Sequence, residues 1–113
     1  MKFLPQKYTI ASFGKGGFRF GEHSHLGNLL VLPSGMRAWD GVDFSALLVE
    51  RADIDFVLMG TGNQMVRPPK FMFQFFAAQN LQFDFMNTSS AVHTYNQVLS
   101  EGRRVAAGFL AVE

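Results

Sequence analysis

The segment "NLLVLP", residues 28–33, leaves this chain little choice of architecture. A continuous apolar run so short, stopped by Pro33, reads as a β-strand covered on both faces. Residues 54–59 make a second such run, and 105–112 close the sheet with a third. A strand buried on both sides needs a layer above it and a layer below it, so the sheet must lie in the middle of the fold. With 113 residues, 48% of them hydrophobic, the chain can build one such core, and 1–113 reads as a single domain.

Glycine and proline divide the rest. Residues 8–13 and 18–20 flank "GKGG", a turn suited to a β-hairpin. "MRAWD", after Pro33-Ser34-Gly35, is a further short strand. Asp43 is placed to cap a helix to about Ala52, with Phe44, Leu47 and Leu48 as its inner stripe. Pro69 suits the first position of a helix to about Gln79. Leu81, Phe83 and Phe85 alternate with Gln82 and Asp84, the mark of a strand with one more polar face. Thr88 or Ser89 can cap a last helix ending near Glu101, with Gly102 beyond it. The order is a β-rich N-terminal third followed by α/β units on one mixed sheet.

Several function classes are excluded or weakened. The formal charge is +1 and the ten basic residues are scattered, against a nucleic-acid binder that works by phosphate neutralisation. No cysteine is present, so there is no disulfide, thiolate nucleophile or zinc–thiolate site. "MKFLPQKYTI" has no apolar stretch long enough for a signal peptide, and 105–112 is far short of a membrane span. The expectation is a soluble, cytoplasmic protein, or one brought to the inner membrane through a partner. "GKGG" lacks the spacer and the Ser/Thr of a nucleotide-binding loop.

"GNLLVLPSGMRAW", "VLMGTGNQ" and "FDFMNTSSAVHTYNQVLSEGRRVAAGFL" together resemble the small α/β family that includes mitochondrial respiratory complex I assembly factor 3. The resemblance covers about residues 6–112. It implies a three-layer α/β fold with a central mixed five-stranded sheet, an N-terminal β-hairpin layer and flanking helices. For the mitochondrial relatives it implies a non-catalytic role in building complex I beside a partner assembly factor. Two departures are expected to matter: no mitochondrial presequence is expected here, and Asn87 stands where many relatives are expected to carry aspartate.

Two candidate sites follow. Gly60-Thr61-Gly62 ends a buried strand, where ligands of open α/β sheets tend to sit. Arg67 and Arg104 could complete a small-anion site there. The competing reading is a glycine turn that lets backbones pack closely, and it is preferred because residues 63–68 separate the loop from helix-start amides and Pro69 offers no N–H. The second candidate is the helix after Pro69. Phe71, Met72, Phe75 and Phe76 form an apolar arc opposite Lys70 and Gln74, with Phe75 at its centre and Phe73 outside it. Such a helix either packs beneath another layer or offers a docking patch, with Phe73 and Trp39 as candidate anchors; Trp39 could equally be core.

Other polar residues have plain explanations. His23 and His25 share one strand face, but zinc needs at least three protein ligands, and only His93 remains. Tyr95 falls mid-stripe with Ala91, Val92, Val98 and Leu99, so its ring belongs in the core with its hydroxyl bonded at an edge; a general-acid role is the alternative. Arg103 and Arg104 follow a helix C-terminus, where the dipole favours positive charge; anion or partner contact is the alternative for them. No catalytic constellation, metal or cofactor is expected. The reading is a non-catalytic interaction module. Its expected partner is a protein, either respiratory-complex subunits or another assembly factor, with homo-oligomerisation open. The alternative is a small-anion-binding protein or enzyme using Gly60, Thr61, Gly62, Arg67 and Arg104.

Overall fold

The computed structural model describes residues 3–4 and 7–113. Strands run in the order β1 (Phe3–Leu4), β2 (Ser12–Gly14), β3 (Gly17–Phe20), β4 (His23–Leu26), β5 (Leu29–Leu32) and β6 (Gly35–Ala38). A 3-10 helix (Ser45–Asp53), β7 (Phe56–Gly60), α1 (Lys70–Ala78), β8 (Gln82–Met86), α2 (Thr88–Ser100) and β9 (Val105–Phe109) follow. The central mixed sheet has the five strands β6-β5-β9-β7-β8, and the two-residue β1 adds an edge beside β6. β9 runs antiparallel to β5 and parallel to β7, and β7 runs parallel to β8. β2-β3-β4 form a separate antiparallel meander, one strand more than the expected hairpin.

The three continuous apolar runs do become the middle of the molecule. Every residue of β5, β7 and β9 is buried. Side chains alternate between two cores because successive strand residues point to opposite faces. Leu29, Val31, Phe56, Leu58, Ala107 and Phe109 meet α2 residues and the meander's Phe18 and Phe20. Leu30, Leu32, Val57, Met59 and Ala106 meet the 3-10 helix and α1. From β8 the chain returns past β7 to β9, reversing the direction of the β7-to-β8 step. Right-handed crossovers in opposite directions put α1 and α2 on opposite faces of the sheet.

Local details differ from expectation for identifiable reasons. The helix after Asp43 is 3-10 rather than α. At three residues per turn Phe44 and Leu47 share one ridge and are buried, whereas Leu48 is 44% exposed. The Asp43 carboxylate accepts the Ser45 N–H at 2.8 Å, a local turn one residue before the cap position. Pro69 precedes α1 as its cap residue instead of opening it. α2 is capped by Asn87, whose Oδ1 accepts the Ser90 N–H at 2.8 Å, and not by Thr88 or Ser89. Thr88 is wholly buried and bonded elsewhere. The first meander strand starts at Ser12, not Tyr8. Its hairpin turn places both Lys15 (φ 53°) and Gly16 (φ 79°) in the left-handed region, as a two-residue hairpin of this twist requires. At the exposed edge strand β8, the Asp84 carboxylate accepts the Phe85 N–H at 2.9 Å, occupying a donor that another strand could otherwise use.

Candidate functional site

Gly60 sits at the carboxyl ends of three parallel strands, the favourable place for a ligand, but the loop is occupied by its own protein. The Thr61 N–H donates to Met86 O at 2.8 Å and the Gly62 N–H to Thr88 Oγ1 at 2.9 Å. The Thr61 hydroxyl donates to Gln64 O at 2.6 Å and accepts the Val66 N–H at 3.1 Å. Thr88 completes the knot. Its hydroxyl donates to Leu110 O at 2.7 Å and its N–H to Gly62 O at 2.9 Å. Gly60 is glycine because a Cβ there would lie 3.0 Å from Thr88 Cα and 3.1 Å from the Phe109 ring. The loop ties β7, β8, β9 and the start of α2 together.

Of the two arginines proposed for this loop, Arg104 is not brought to it. Arg104 precedes β9 and pairs with Asp55, which precedes β7, at 2.8 Å. It therefore lies at the amino end of strands whose carboxyl end carries Gly60, about 17 Å away for a five-residue strand. The Asp55 carboxyl is held below its usual range by the hydrogen bond from Arg104. Arg67 does lie nearer in sequence, but its guanidinium sits over the Phe73 ring, 4.6 Å from the centroid. Strand direction thus takes Arg104 out of the anion set read from sequence, and Arg67 is stacked on Phe73.

Trp39 is not an exposed anchor. It is 8% exposed, its ring lies 4.9 Å from that of Phe44, and its Nε1–H donates to Asp43 O at 2.8 Å. Phe73 is half-buried against Phe83 and Phe85, with ring centroids at 5.4 and 5.8 Å. The inner face of α1 consists of Met72 and Phe76, and Phe75 is only half-buried beside Phe76. Phe71, assigned to the inner arc, is 50% exposed. Nine residues of helix cannot turn an arc of four large side chains onto one contact line, so one flank remains outside.

The result is a ridge between two depressions. On one side of α1, Val42, Asp43, Phe44, Ser45, Phe71, Met72 and Phe75 line a groove of about 300 Å³ whose exposed surface is almost wholly apolar. On the other side, Arg67, Lys70, Phe73, Gln74 and Ala77 line a wider, cationic hollow of about 530 Å³. Sequence reasoning missed the contribution of Val42. It stands in a loop, and only the fold brings it beside α1.

The Tyr95-Asn96 pair has a structural task. Tyr95 is fully buried and its hydroxyl donates to Tyr8 O at 2.7 Å. Burial pushes that hydroxyl above its ordinary range. Asn96 clasps the backbone of Ile10, accepting its N–H at 2.7 Å and donating to its carbonyl at 2.8 Å. Together they fasten the chain entering the meander to α2. Arg103 lies over the Phe56 ring at 4.4 Å. His25 is buried with Nε2 2.8 Å from Asn28 O. Among the described residues no three of His, Asp and Glu gather as a metal site would require, and no helix is long and apolar enough to cross a membrane.

The chain is 35% identical over 102 residues to an uncharacterised protein of Rhodobacter capsulatus, covering 89% of this chain and 82% of that one. Among solved structures it is similar to a Bartonella henselae protein described as an outer membrane protein, at 37% identity and TM-score 0.90, covering 96% and 98% of the two chains. It is also similar to a Rhodopseudomonas palustris protein at 33% identity and TM-score 0.77, covering 100% and 89%. Residues 10–110 match the profile of a family described as protein of unknown function DUF498/DUF598, and the chain belongs to that family.

Proposed function

We propose that this protein works by non-catalytic contact with another protein, and that α1 presents the contact. The carrying observation is the apolar groove beside Phe71 and Val42, which are 50% and 51% exposed. Lone exposed apolar residues are ordinary, whereas here two of them, Val42 and Phe71, stand together on one apolar groove, the arrangement that a docking contact uses. Arg67 and Lys70 border the opposite flank. The partner that fits is an apolar segment carrying an acidic residue, its side chains seated beside Phe71 and its carboxylate over the cationic hollow. The resemblance to the family of the complex I assembly factor supports a role in assembling a respiratory or other membrane-associated complex.

Affinity purification from native lysate, with wild type and Phe71→Ser run in parallel, tests this reading. The expected outcome is a defined protein, a respiratory-complex subunit or another assembly factor, that is retained by wild type and lost with Phe71→Ser while the melting temperature stays put. Identical retention by both baits, or loss that only accompanies unfolding, would overturn the assignment of the contact to α1.

A further inference from the structure

The outer face of the meander carries a second feature, remote in sequence from α1. Strand register aligns Ser12 with Arg19 and Arg19 with Ser24, so these three side chains form one row across β2, β3 and β4 on the solvent side. The next row on the same face is Gly14, Gly17 and Leu26. Gly17 cannot carry a side chain, since its Cβ would lie 2.5 Å from His25 O. Beside Arg19 lies a shallow hollow of about 400 Å³, with Lys15 and the 82%-exposed Leu26 also lining it. That volume falls within the roughly 300–1,000 Å³ of small-ligand sites and exceeds what a bare phosphate fills.

The charges here are uncommitted. Among the described residues, neither the Arg19 guanidinium nor the Lys15 ammonium has an ion pair, and the salt bridge of Arg104 to Asp55 is elsewhere. The turn that presents Lys15 is fixed from both sides. The Gly16 N–H donates to Val112 O at 2.7 Å, and Gly16 O accepts the Gly27 N–H at 2.7 Å. An arginine registered between two serines, with a lysine at the adjoining turn, supplies the donor types that a tetrahedral oxyanion takes. Leu26 adds apolar surface next to it.

We propose that this hollow binds a phosphate ester with a short apolar substituent. The phosphate oxygens take the Arg19 fork and the Ser12 and Ser24 hydroxyls, Lys15 closes the rim, and the substituent lies against the exposed Leu26 side chain. The same chemistry occurs in a soluble phosphate ester and in the headgroup region of an anionic lipid.

The test is a nuclear magnetic resonance titration of the full chain with hexyl phosphate, using sodium chloride at matched ionic strength as control. Saturable shifts are expected at the amides of residues 12–19 and 24–26. Arg19→Gln should weaken binding by about tenfold, the factor for losing one charge-assisted hydrogen bond. Lys15→Asn keeps a residue suited to the turn's left-handed backbone, so its weaker binding would report charge and not misfolding. Shifts scattered over the molecule, reproduced by sodium chloride, or untouched by both variants would overturn the proposal. Co-sedimentation with phosphatidylglycerol vesicles by wild type and not by Arg19→Gln would support it with a lipid as the source. Saturable hexyl phosphate binding without vesicle binding would support it with a soluble ester as the source.

Discussion

Tyr95 is the residue where packing and polar chemistry are most tightly coupled. Its ring lies against Phe109 at 5.5 Å and its hydroxyl reaches the backbone of residue 8. Tyr95→Phe keeps the ring and leaves Tyr8 O without its donor, which should cost about 1–2 kcal/mol in chemical denaturation. The pH dependence has a definite sign. Burial raises the folded hydroxyl above the ordinary value of 10.0, so the folded state keeps a proton that the unfolded state gives up. The stabilisation is complete below about pH 10 and is lost as pH climbs beyond it. Melting temperature should fall more steeply above pH 10 in wild type than in Tyr95→Phe; parallel curves would contradict this. Gly60 makes the complementary point. Gly60→Ala drives a methyl into Thr88 Cα, backbone that cannot rotate away, and should cost about 1–3 kcal/mol without altering phosphate affinity. A stabilised or unchanged Gly60→Ala would mean that the Thr88 knot yields more easily than its bonds suggest.

Helix α1 separates core from contact within two turns. Phe76 is buried and stacks on Phe83 at 4.4 Å, so Phe76→Ala should cost about 3–5 kcal/mol. Phe71→Ser, five residues earlier, should change stability by no more than about 0.5 kcal/mol, with its effect appearing in partner binding. Equal loss of stability in the two variants, measured by thermal melts, would remove the distinction. How legible was this in the sequence? The buried strands were, because a strand covered on both faces has a pattern that depends only on its own residues. The helix after Pro69 was legible as an element, but its inward face was not. Phe71, Met72, Phe75 and Phe76 are equally apolar, and which two face the sheet is decided by how α1 crosses β7 and β8. The 3-10 geometry after Asp43 was hidden for a similar reason, since Leu47 and Leu48 fit either helix until packing selects one. Arg104 was misplaced because β7 and β9 run parallel, a long-range fact that puts the end of β7 and the start of β9 at opposite ends of the sheet.

At the scale of the whole molecule, two cores share three strands. Neighbouring residues of β5, β7 and β9 serve opposite faces, as Leu29 and Leu30 or Val57 and Leu58 do. If the meander and α2 came away, one row of side chains on each of those strands would be bared to water. At roughly 25 cal/mol per Å² of apolar surface, such a half-opened state is strongly disfavoured. The two layers should therefore melt in one transition although they touch different faces. Trp39, the only tryptophan, reports the α1 side by fluorescence, and far-ultraviolet circular dichroism reports the whole. Phe20 lies in the other core, on the meander. Phe20→Leu, a modest change of shape, should cost about 1–1.5 kcal/mol and lower both signals' midpoints by the same amount. A Trp39 midpoint that stays fixed while the circular dichroism midpoint falls would show the meander layer opening independently of the α1 face.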